Sequence, residues 1–344
     1  MKKSVRRLAR FSRLTGIRKL RDEVGPKVLL YHRVSTYTMD PQLLCVHPGN
    51  FEEHLRVLNE CCSVLPLREL CHLVAAGRAA ANHVAVTFDD GYSDNLYRAK
   101  PALERYGVPG TVYVSTGNLD TAQLFWWDEL AGLLFQPGPL PAKLTVTIGA
   151  HQLDWDLGER ELSDADPWWT GWNVVQQDDP SPVCVVYRDL CPVIRTASTA
   201  LRSSVLSQVR EALGRTAILD PPCRPLFLDE LKELASSASI EIGSHGVSHI
   251  PLSSLSLAAQ RNELEVSKGI LERWLGKPVE TFSYSFGGRS EYDRRTVKLV
   301  RQTGYASACT THSSTFTRRS SILEIPRLVV RDWNGDQFRQ WLHV

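Results

Sequence analysis

The sequence predicts an α/β fold, a deformed (β/α)7-type barrel that carries a mixed α/β insertion. Three observations predict it: β-branched runs alternate with helical stretches, several runs end in polar residues, and 344 residues exceed one compact barrel core. Strands that alternate with helices pair in parallel through right-handed crossovers. The predicted strands are Lys27–Val34, His83–Asp90, Gly110–Ser115, Ile240–His245, Glu280–Phe286, Tyr305–Thr311 and Ile322–Val330.

Amphipathic stretches between these runs predict the helices. One runs from Asn50 to Cys62, and Glu53 follows Asn50 in a variant of the capping box. Another, Ser256–Leu275, ends at Gly276, a residue type that commonly terminates helices.

The region from about 124 to 225 breaks this alternation. Lys143–Ile148 and His151–Leu157 predict a hairpin, and a long helical stretch follows near Arg195–Leu213. We interpret its tryptophans as packing residues, and a stacking platform for sugar rings stays open as the alternative. Six of the nine tryptophans fall here: Trp126, Trp127, Trp155, Trp168, Trp169 and Trp172.

These patterns divide the chain into three parts. A basic arm covers 1–24, the barrel covers 25–123 and 226–344, and the Trp-rich insertion covers 124–225.

Composition excludes several classes of protein. The net charge of +2 gives no chain-wide field that would recruit nucleic acid. No stretch reaches the roughly 20 apolar residues that span a bilayer. None of the eight cysteines forms a C-x-x-C pair, which favours free thiols in a reducing compartment over disulfides or a zinc finger.

The basic charge is concentrated at the start of the chain. Residues 1–21 hold nine Lys or Arg residues and no acid, with apolar residues at helical spacing. The pattern predicts either peripheral contact with an anionic membrane or a solvated arm, and both stay open. Because no apolar h-region follows the charges, we expect a cytoplasmic protein, membrane-associated if the first alternative holds.

The strongest chemical motif is Asp89-Asp90-Gly91, which directly follows a buried strand. Two adjacent carboxylates at that position are unfavourable unless their charge is compensated. Gly91 lets the chain turn, so both side chains can be presented at the strand end. A metal ion would take one carboxylate as a ligand and leave the other as a base.

A second motif, His245-Gly246-Val247-Ser248-His249, also begins at a strand end. In a helical turn, histidines four residues apart lie on one side. Two His and one Asp form a facial set of three ligands that leaves positions open for water and substrate. His32 ends the first strand, where it could face the same site and donate a proton to a leaving amine.

Thr87–Gly91, His245 and His249 resemble the motifs of the polysaccharide deacetylase family, also called the NodB-homology family or carbohydrate esterase family 4. The resemblance extends from about Lys27 to Phe338, interrupted by the insertion. The early Tyr31-His32 is similar to the branch that deacetylates poly-N-acetylglucosamine, in which the catalytic histidine precedes the Asp-Asp motif.

The resemblance implies a role for each motif residue. Asp90, His245 and His249 would bind the metal, Asp89 would be the general base, and His32 would be the general acid. Zinc is the preferred metal, and cobalt, nickel or iron would fit the same ligands.

Two departures from the family pattern lie close to these residues. Gly246 stands where the family has Ser or Thr, and Ser248 could supply that hydroxyl. The family's R-x-P-Y-G segment is Ser283–Gly287 here, without the arginine that orients the base. The resemblance places Tyr284 and Phe286 at the substrate and oxyanion, with a backbone N–H supporting the oxyanion. We hypothesise that Arg327, at a strand end, replaces the missing arginine beside Asp89.

The sequence therefore predicts a metal-dependent hydrolase that removes acetyl groups from an N-acetylated sugar during polysaccharide or glycoconjugate biosynthesis. Its partner would be a glycan or a lipid- or nucleotide-linked sugar. A silent glycan-binding protein of the same fold is the alternative, favoured by the altered Ser283–Gly287 segment. A two-His, one-carboxylate iron oxygenase is disfavoured because that class usually uses a β-sandwich.

Overall fold

The computed structural model describes residues 25–36, 39–158, 160–162, 171–217 and 224–342. The basic arm 1–24 and two of the six insertion tryptophans, Trp168 and Trp169, lie outside the described residues. Within the described ranges, no helix has both the length and the apolar character needed to cross a bilayer.

Fourteen short strands occur in chain order. They are β1 (Lys27–Tyr31), β2 (Arg33–Val34), β3 (Cys45–Val46), β4 (Ser63–Val64), β5 (His83–Phe88), β6 (Gly110–Val114), β7 (Gly138–Leu140), β8 (Lys143–Ile148), β9 (His151–Asp156), β10 (Arg160–Leu162), β11 (Ile240–Ser244), β12 (Thr281–Ser283), β13 (Ser307–Cys309) and β14 (Leu328–Val329).

The α-helices lie between them. They are α1 (Pro48–Cys61), α2 (Leu67–Ala75), α3 (Lys100–Tyr106), α4 (Trp126–Leu134), α5 (Pro182–Thr196), α6 (Thr199–Leu213), α7 (Leu228–Ala235), α8 (Leu257–Leu275), α9 (Arg294–Gln302) and α10 (Gly335–Leu342). A π-helical turn, Asn95–Ala99, precedes α3, and a 3₁₀ turn, Leu252–Ser254, precedes α8.

Two compact units divide the described chain. The sheet unit comprises 25–36, 44–124 and 224–342, and the insertion unit comprises 39–43 and 125–217. The short segment 39–43 belongs to the insertion unit, although the sequence analysis placed it in the barrel.

The sheet unit contains a curled parallel half-barrel, as the seven predicted runs indicate. Its strand order is β13-β12-β11-β6-β5-β1-β14, and β4 pairs in parallel with β5. Each predicted run contains one of these strands, so the α/β prediction is confirmed. A parallel bridge between Cys309 and Ile325 continues the pairing beyond β13.

Aliphatic and aromatic residues fill the inside of the sheet unit. Tyr31 stacks on Phe88 with ring centroids 5.4 Å apart, and Phe51 packs edge-on against Tyr31 at 5.4 Å. All three side chains are at most 1% exposed, which fixes α1 against β1 and β5.

The helix predictions are correct in place but not always in their caps. Helix α8 has Ser256 as its N-cap and Gly276 as its left-handed C-cap, as predicted. The capping prediction for Asn50 is wrong, because α1 begins two residues earlier with His47 as its N-cap. The Asn50 amide instead donates to Asp332 over 2.7 Å.

The insertion unit has its own aromatic core. Its hairpin of β8 and β9 forms where predicted, and α6 begins at Thr199 after the capping residue Ser198. The helix α5, which precedes α6, was not predicted. The described insertion tryptophans are at most 8% exposed, so they pack in the core and offer no open stacking platform: Trp126, Trp127, Trp155 and Trp172.

Candidate metal centre and active site

The predicted site residues follow the carboxyl ends of neighbouring parallel strands. Asp89 and Asp90 follow β5, His245 follows β11, and His32 follows β1. Because these ends meet at one edge of the sheet, the side chains lie close together although their positions in the chain are far apart. This edge belongs entirely to the sheet unit.

The backbone at this edge is bent into conformations that most residues avoid. Asp90, His249 and Phe286 have φ values of 76°, 49° and 61°, in the left-handed region. Gly91 has φ of 82°, and a Cβ there would approach Val114 to 3.1 Å. Three strained non-glycine residues at one edge are typical of a functional site, where the surrounding fold holds them in place.

Three ligand-type side chains converge next to this turn. Asp90, His245 and His249 are buried and offer one atom each within 4.8 Å of one another. The Asp90 Oδ1 lies 3.1 Å from His249 Nε2 and 3.4 Å from His245 Nε2. The structure therefore brings together the three residues predicted to bind metal.

The orientation of His245 suits a metal ligand. Its Nδ1 lies 2.7 Å from the Ser283 carbonyl oxygen, which can only accept a hydrogen bond. The proton therefore belongs on Nδ1, and the lone pair of Nε2 points toward Asp90.

The electrostatics of the site also favour a cation. Burial raises the pKa of the Asp90 carboxyl, but hydrogen bonds with His245 and His249 outweigh it and hold that pKa far below its usual value. Burial lowers the pKa of His245, yet the charges of Asp89 and Asp90 leave it above the usual value. A site that favours positive charge on an imidazole also favours a divalent cation, so the donor set fits zinc or a similar ion.

The loop between the two histidines is held by Glu263 of α8. The Glu263 carboxylate accepts the N–H groups of Val247 and Ser248 at 2.8 and 2.9 Å. Its other oxygen accepts the Ser248 hydroxyl at 2.6 Å. Ser248 therefore uses its hydroxyl to fasten the loop, and Glu263 is a functional residue that the sequence analysis missed.

Asp89 lies against Arg327, the arginine that the sequence analysis singled out. The guanidinium donates to both carboxylate oxygens, at 2.7 Å to Oδ1 and 2.6 Å to Oδ2. Arg327 is 0% exposed and also donates to the Thr310 carbonyl at 2.9 Å. A bidentate fork of this kind fixes both the position and the orientation of a carboxylate.

Ser283 occupies the position of the arginine in the family pattern and joins the same network. Its hydroxyl accepts from Arg327 at 2.8 Å and donates to Asp89 Oδ2 at 3.1 Å. Burial raises the pKa of the Asp89 carboxyl, but the charge of Arg327 outweighs it and leaves that pKa below its usual value. Asp89 is thus held as a carboxylate, the form that a base requires.

His32 is half-buried and lies level with Asp89. Tyr31 pairs with Phe88 in the register of β1 and β5, and Asp89 N donates to the Tyr31 carbonyl at 3.0 Å. Burial lowers the pKa of the His32 imidazole, and the nearby charges of Asp90 and Asp89 act in the opposite direction. His32 is therefore close enough to both acids for their charges to act on it.

The segment Ser283–Gly287 presents Phe286 beside the metal ligands. The Phe286 ring packs edge-on against His249, with centroids 4.7 Å apart. Thr311 fastens this turn, since its hydroxyl donates to the Phe286 carbonyl at 2.7 Å and its N–H donates to the Gly287 carbonyl at 3.0 Å.

The structure corrects the prediction for Tyr284 as a substrate residue. Its side chain is buried, and its hydroxyl donates to the Leu323 carbonyl at 3.0 Å. The ring stacks on Tyr292 at 4.3 Å, so Tyr284 packs the loop and does not reach the site with its hydroxyl.

Comparison with known proteins assigns the chain to a family. The sequence model described as "Polysaccharide deacetylase" matches residues 76–139 and 209–308, which include Asp89, Asp90, His245 and His249. The chain belongs to the polysaccharide deacetylase family. The unmatched stretch between the two segments, 140–208, lies in the insertion unit of this family member.

Individual relatives of this polysaccharide deacetylase family member agree. YxkH of Bacillus subtilis, provisionally named a polysaccharide deacetylase, is 32% identical over 89 residues. That match covers 25% of this chain and spans 30% of the length of YxkH.

Two solved structures share the fold of this family member. The Streptococcus pyogenes deacetylase PplD, solved in complex with acetate, superposes with a TM-score of 0.57 at 16% identity, covering 93% of this chain and 98% of PplD. A de-N-acetylase from Aggregatibacter actinomycetemcomitans gives a TM-score of 0.53 at 12% identity, covering 92% of this chain and 99% of that one. At these identities the similarity is one of fold.

Proposed function

We propose that this protein is a metal-dependent deacetylase that removes acetyl groups from an N-acetylated sugar. The observation that carries the proposal is the buried Arg327–Asp89 pair beside Asp90, His245 and His249. A carboxylate held ionised next to three convergent ligand atoms is the arrangement that metal-assisted hydrolysis requires.

Asp90, His245 and His249 are the residues that would hold the ion, with zinc the first choice for this donor set. When bound, the ion supplies Lewis-acid polarisation of the acetyl carbonyl and of a water molecule. Asp89 takes the proton of the attacking water, and Arg327 keeps its carboxylate oriented for that transfer.

The remaining steps fall to residues on either side of Asp89. The turn at Phe286, fastened by Thr311, supports the negative charge that develops on the carbonyl oxygen through its backbone N–H. His32, in its protonated form, gives a proton to the departing sugar amine. The products are acetate and a sugar with a free amine.

The substrate we propose is an N-acetylated glycan, or a lipid- or nucleotide-linked sugar used in polysaccharide or glycoconjugate synthesis. Membership of the polysaccharide deacetylase family supports the sugar, and the de-N-acetylase of the same fold supports the N-acetyl group. The alternative, a silent glycan-binding protein, relied on the missing arginine of Ser283–Gly287. The contact of Arg327 with Asp89 disfavours it, because the base keeps an arginine partner.

Acetate release tests this proposal. We expect the zinc-loaded protein to release acetate and free amines from N-acetylglucosamine oligomers, and the His245→Ala variant to release none. A protein that binds zinc and glycan but releases no acetate from any acetylated glycan would favour the silent binding protein.

The basic segment 1–21 would bring the enzyme to an anionic membrane surface, at the cytoplasmic face if no export occurs. The wild type should sediment with vesicles that contain phosphatidylserine, and a variant lacking residues 2–21 should not. Equal sedimentation of the two proteins would contradict this part of the proposal.

A further inference from the structure

The chain leaving β1 is fastened to the chain leaving β5 by consecutive polar contacts on both sides of His32. Asp89 N donates to the Tyr31 carbonyl at 3.0 Å, before His32. The Asn95 amide donates to the carbonyl of His32 itself at 2.9 Å. After His32, the Val34 N–H donates to the Asp94 carboxylate at 3.2 Å.

A buried ion pair reinforces these contacts. Arg33 donates through Nε to Asp94 Oδ2 at 3.1 Å, and the two side chains are 2% and 0% exposed. The Arg33 guanidinium also lies over the Tyr92 ring, 4.7 Å from its centroid. The Asn95 amide donates to Asp94 as well, at 3.1 Å, so the two neighbouring side chains form one unit.

Stability is a poor explanation for this arrangement. A buried ion pair must offset the desolvation of both charges, and apolar residues of similar volume would serve the fold as well. Burial in fact raises the pKa of the Asp94 carboxyl in spite of the Arg33 charge. A buried pair of this kind contributes fixed geometry, and what it fixes here is the backbone of His32 relative to Asp89 and Asp90.

We propose that Arg33, Asp94 and Asn95 are positioning residues that hold His32 at the distance from the Asp89–Asp90 turn needed for proton donation to the leaving amine. The inference rests on the proposed function, because it assigns these residues to the general acid of that reaction. None of the three touches substrate in this role, and each acts through the main chain at 32–34.

The chemistry of the leaving group separates this role from a purely structural one. An amine must be protonated as the C–N bond breaks, so N-deacetylation depends on a correctly placed acid. A 4-nitrophenolate ion leaves without protonation, so hydrolysis of 4-nitrophenyl acetate needs the site and Asp89 but not His32. Misplacement of His32 should therefore slow the first reaction and spare the second.

The experiment compares the full-length, zinc-loaded wild type with Asn95→Ala and Asp94→Asn on N-acetylglucosamine oligomers and on 4-nitrophenyl acetate. We expect both variants to lose roughly 10- to 100-fold in kcat on the amide, and less than about twofold on the ester, which needs no general acid. His32→Ala sets the largest selective loss. Tyr97→Phe is the matched control, since it removes a hydrogen bond to Glu230 from the same helical turn and should leave both rates unchanged.

Three results would overturn the inference. Equal losses on the two substrates in Asn95→Ala would indicate a structural role, and unchanged rates on both would remove any role. Asn95→Ala decides the matter if Asp94→Asn fails to fold, because it leaves the ion pair intact. A zinc-loaded wild type inactive on both substrates would instead overturn the proposed function, and this inference with it.

Discussion

Arg327 and Asp89 are 238 positions apart in the chain, yet they form a two-pronged, fully buried ion pair at 2.7 and 2.6 Å. In the family pattern the arginine that orients the base belongs to the segment that is Ser283–Gly287 here. In this chain Ser283 keeps a hydroxyl at that place, and the guanidinium comes from beside β14 to reach the same carboxylate.

Replacement of Arg327 tests this relocation. Arg327→Lys keeps the charge but cannot form the two-pronged contact, so we expect kcat for acetate release to fall by roughly 100-fold with a smaller change in KM. The double variant Ser283→Arg, Arg327→Ser returns the guanidinium to the position it has in the family and should recover part of that loss. Full turnover by Arg327→Lys would show that Asp89 needs no fixed orientation.

The brace on the metal loop gives a second prediction. Glu263→Gln removes the charge that holds the Val247 and Ser248 amides, so the two histidines should become less well placed. We expect the zinc affinity to fall by roughly 10- to 100-fold, as for other residues that orient metal ligands. Calorimetric titration with zinc measures it.

Glu265→Gln is the matched control for that titration, because Glu265 lies on the same helix but is exposed and pairs only with Arg261 among the ion pairs of the described chain. Identical zinc affinities of Glu263→Gln and Glu265→Gln would contradict a role for Glu263 at the loop.

Metal removal should lower the stability of the fold. A ligand that binds only the folded state at about 100 times its Kd stabilises it by about 2.7 kcal/mol. Zinc should therefore raise the melting temperature of the chelated protein, and His249→Asn should abolish the rise, since asparagine tolerates the left-handed backbone but removes the ligand. A rise of equal size in the variant would place the ion elsewhere.

Stability should also fall in mild acid through His54, away from the metal centre. His54 is 0% exposed and contacts the Tyr31 hydroxyl and the Trp333 carbonyl. Burial lowers the pKa of its imidazole to about 4, against a value near 6.5 when unfolded. Because the folded pKa is the lower one, this contribution is complete above pH 6.5 and is lost as the pH falls toward 4.

Denaturant unfolding between pH 7 and pH 4 measures the effect. The wild type should lose up to about 3 kcal/mol more than His54→Gln over this range, since the variant has no group that gains a proton there. Parallel pH profiles of the two proteins would refute the assignment to His54.

The strand order and the metal ligands could be predicted because both depend on local pattern. Buried β-branched runs that end in Asp89-Asp90 or His245 mark strands whose carboxyl ends carry polar residues, and parallel pairing then brings those ends together. The same reasoning placed His32 at this edge.

Contacts made by long side chains between distant segments could not be predicted in the same way. Arg327 could be suspected from the arginine missing at Ser283, but its two-pronged contact depends on how β14 packs beside β1 and β5. Glu263 resembles an exposed glutamate of an amphipathic helix, and only the unusual Gly246 in the facing loop hinted that another group was needed there. The start of α1 was misplaced because the Asn50 side chain bonds to Asp332, far along the chain.

The most direct test of the central claim is metal content together with acetate release in Asp89→Asn. The account predicts that this variant binds one zinc ion per chain like the wild type, because Asp90, His245 and His249 are intact, but has lost at least about 100-fold in acetate release from N-acetylglucosamine oligomers. An Asp89→Asn protein that releases acetate at the wild-type rate, or a wild type that binds no zinc, would contradict the account.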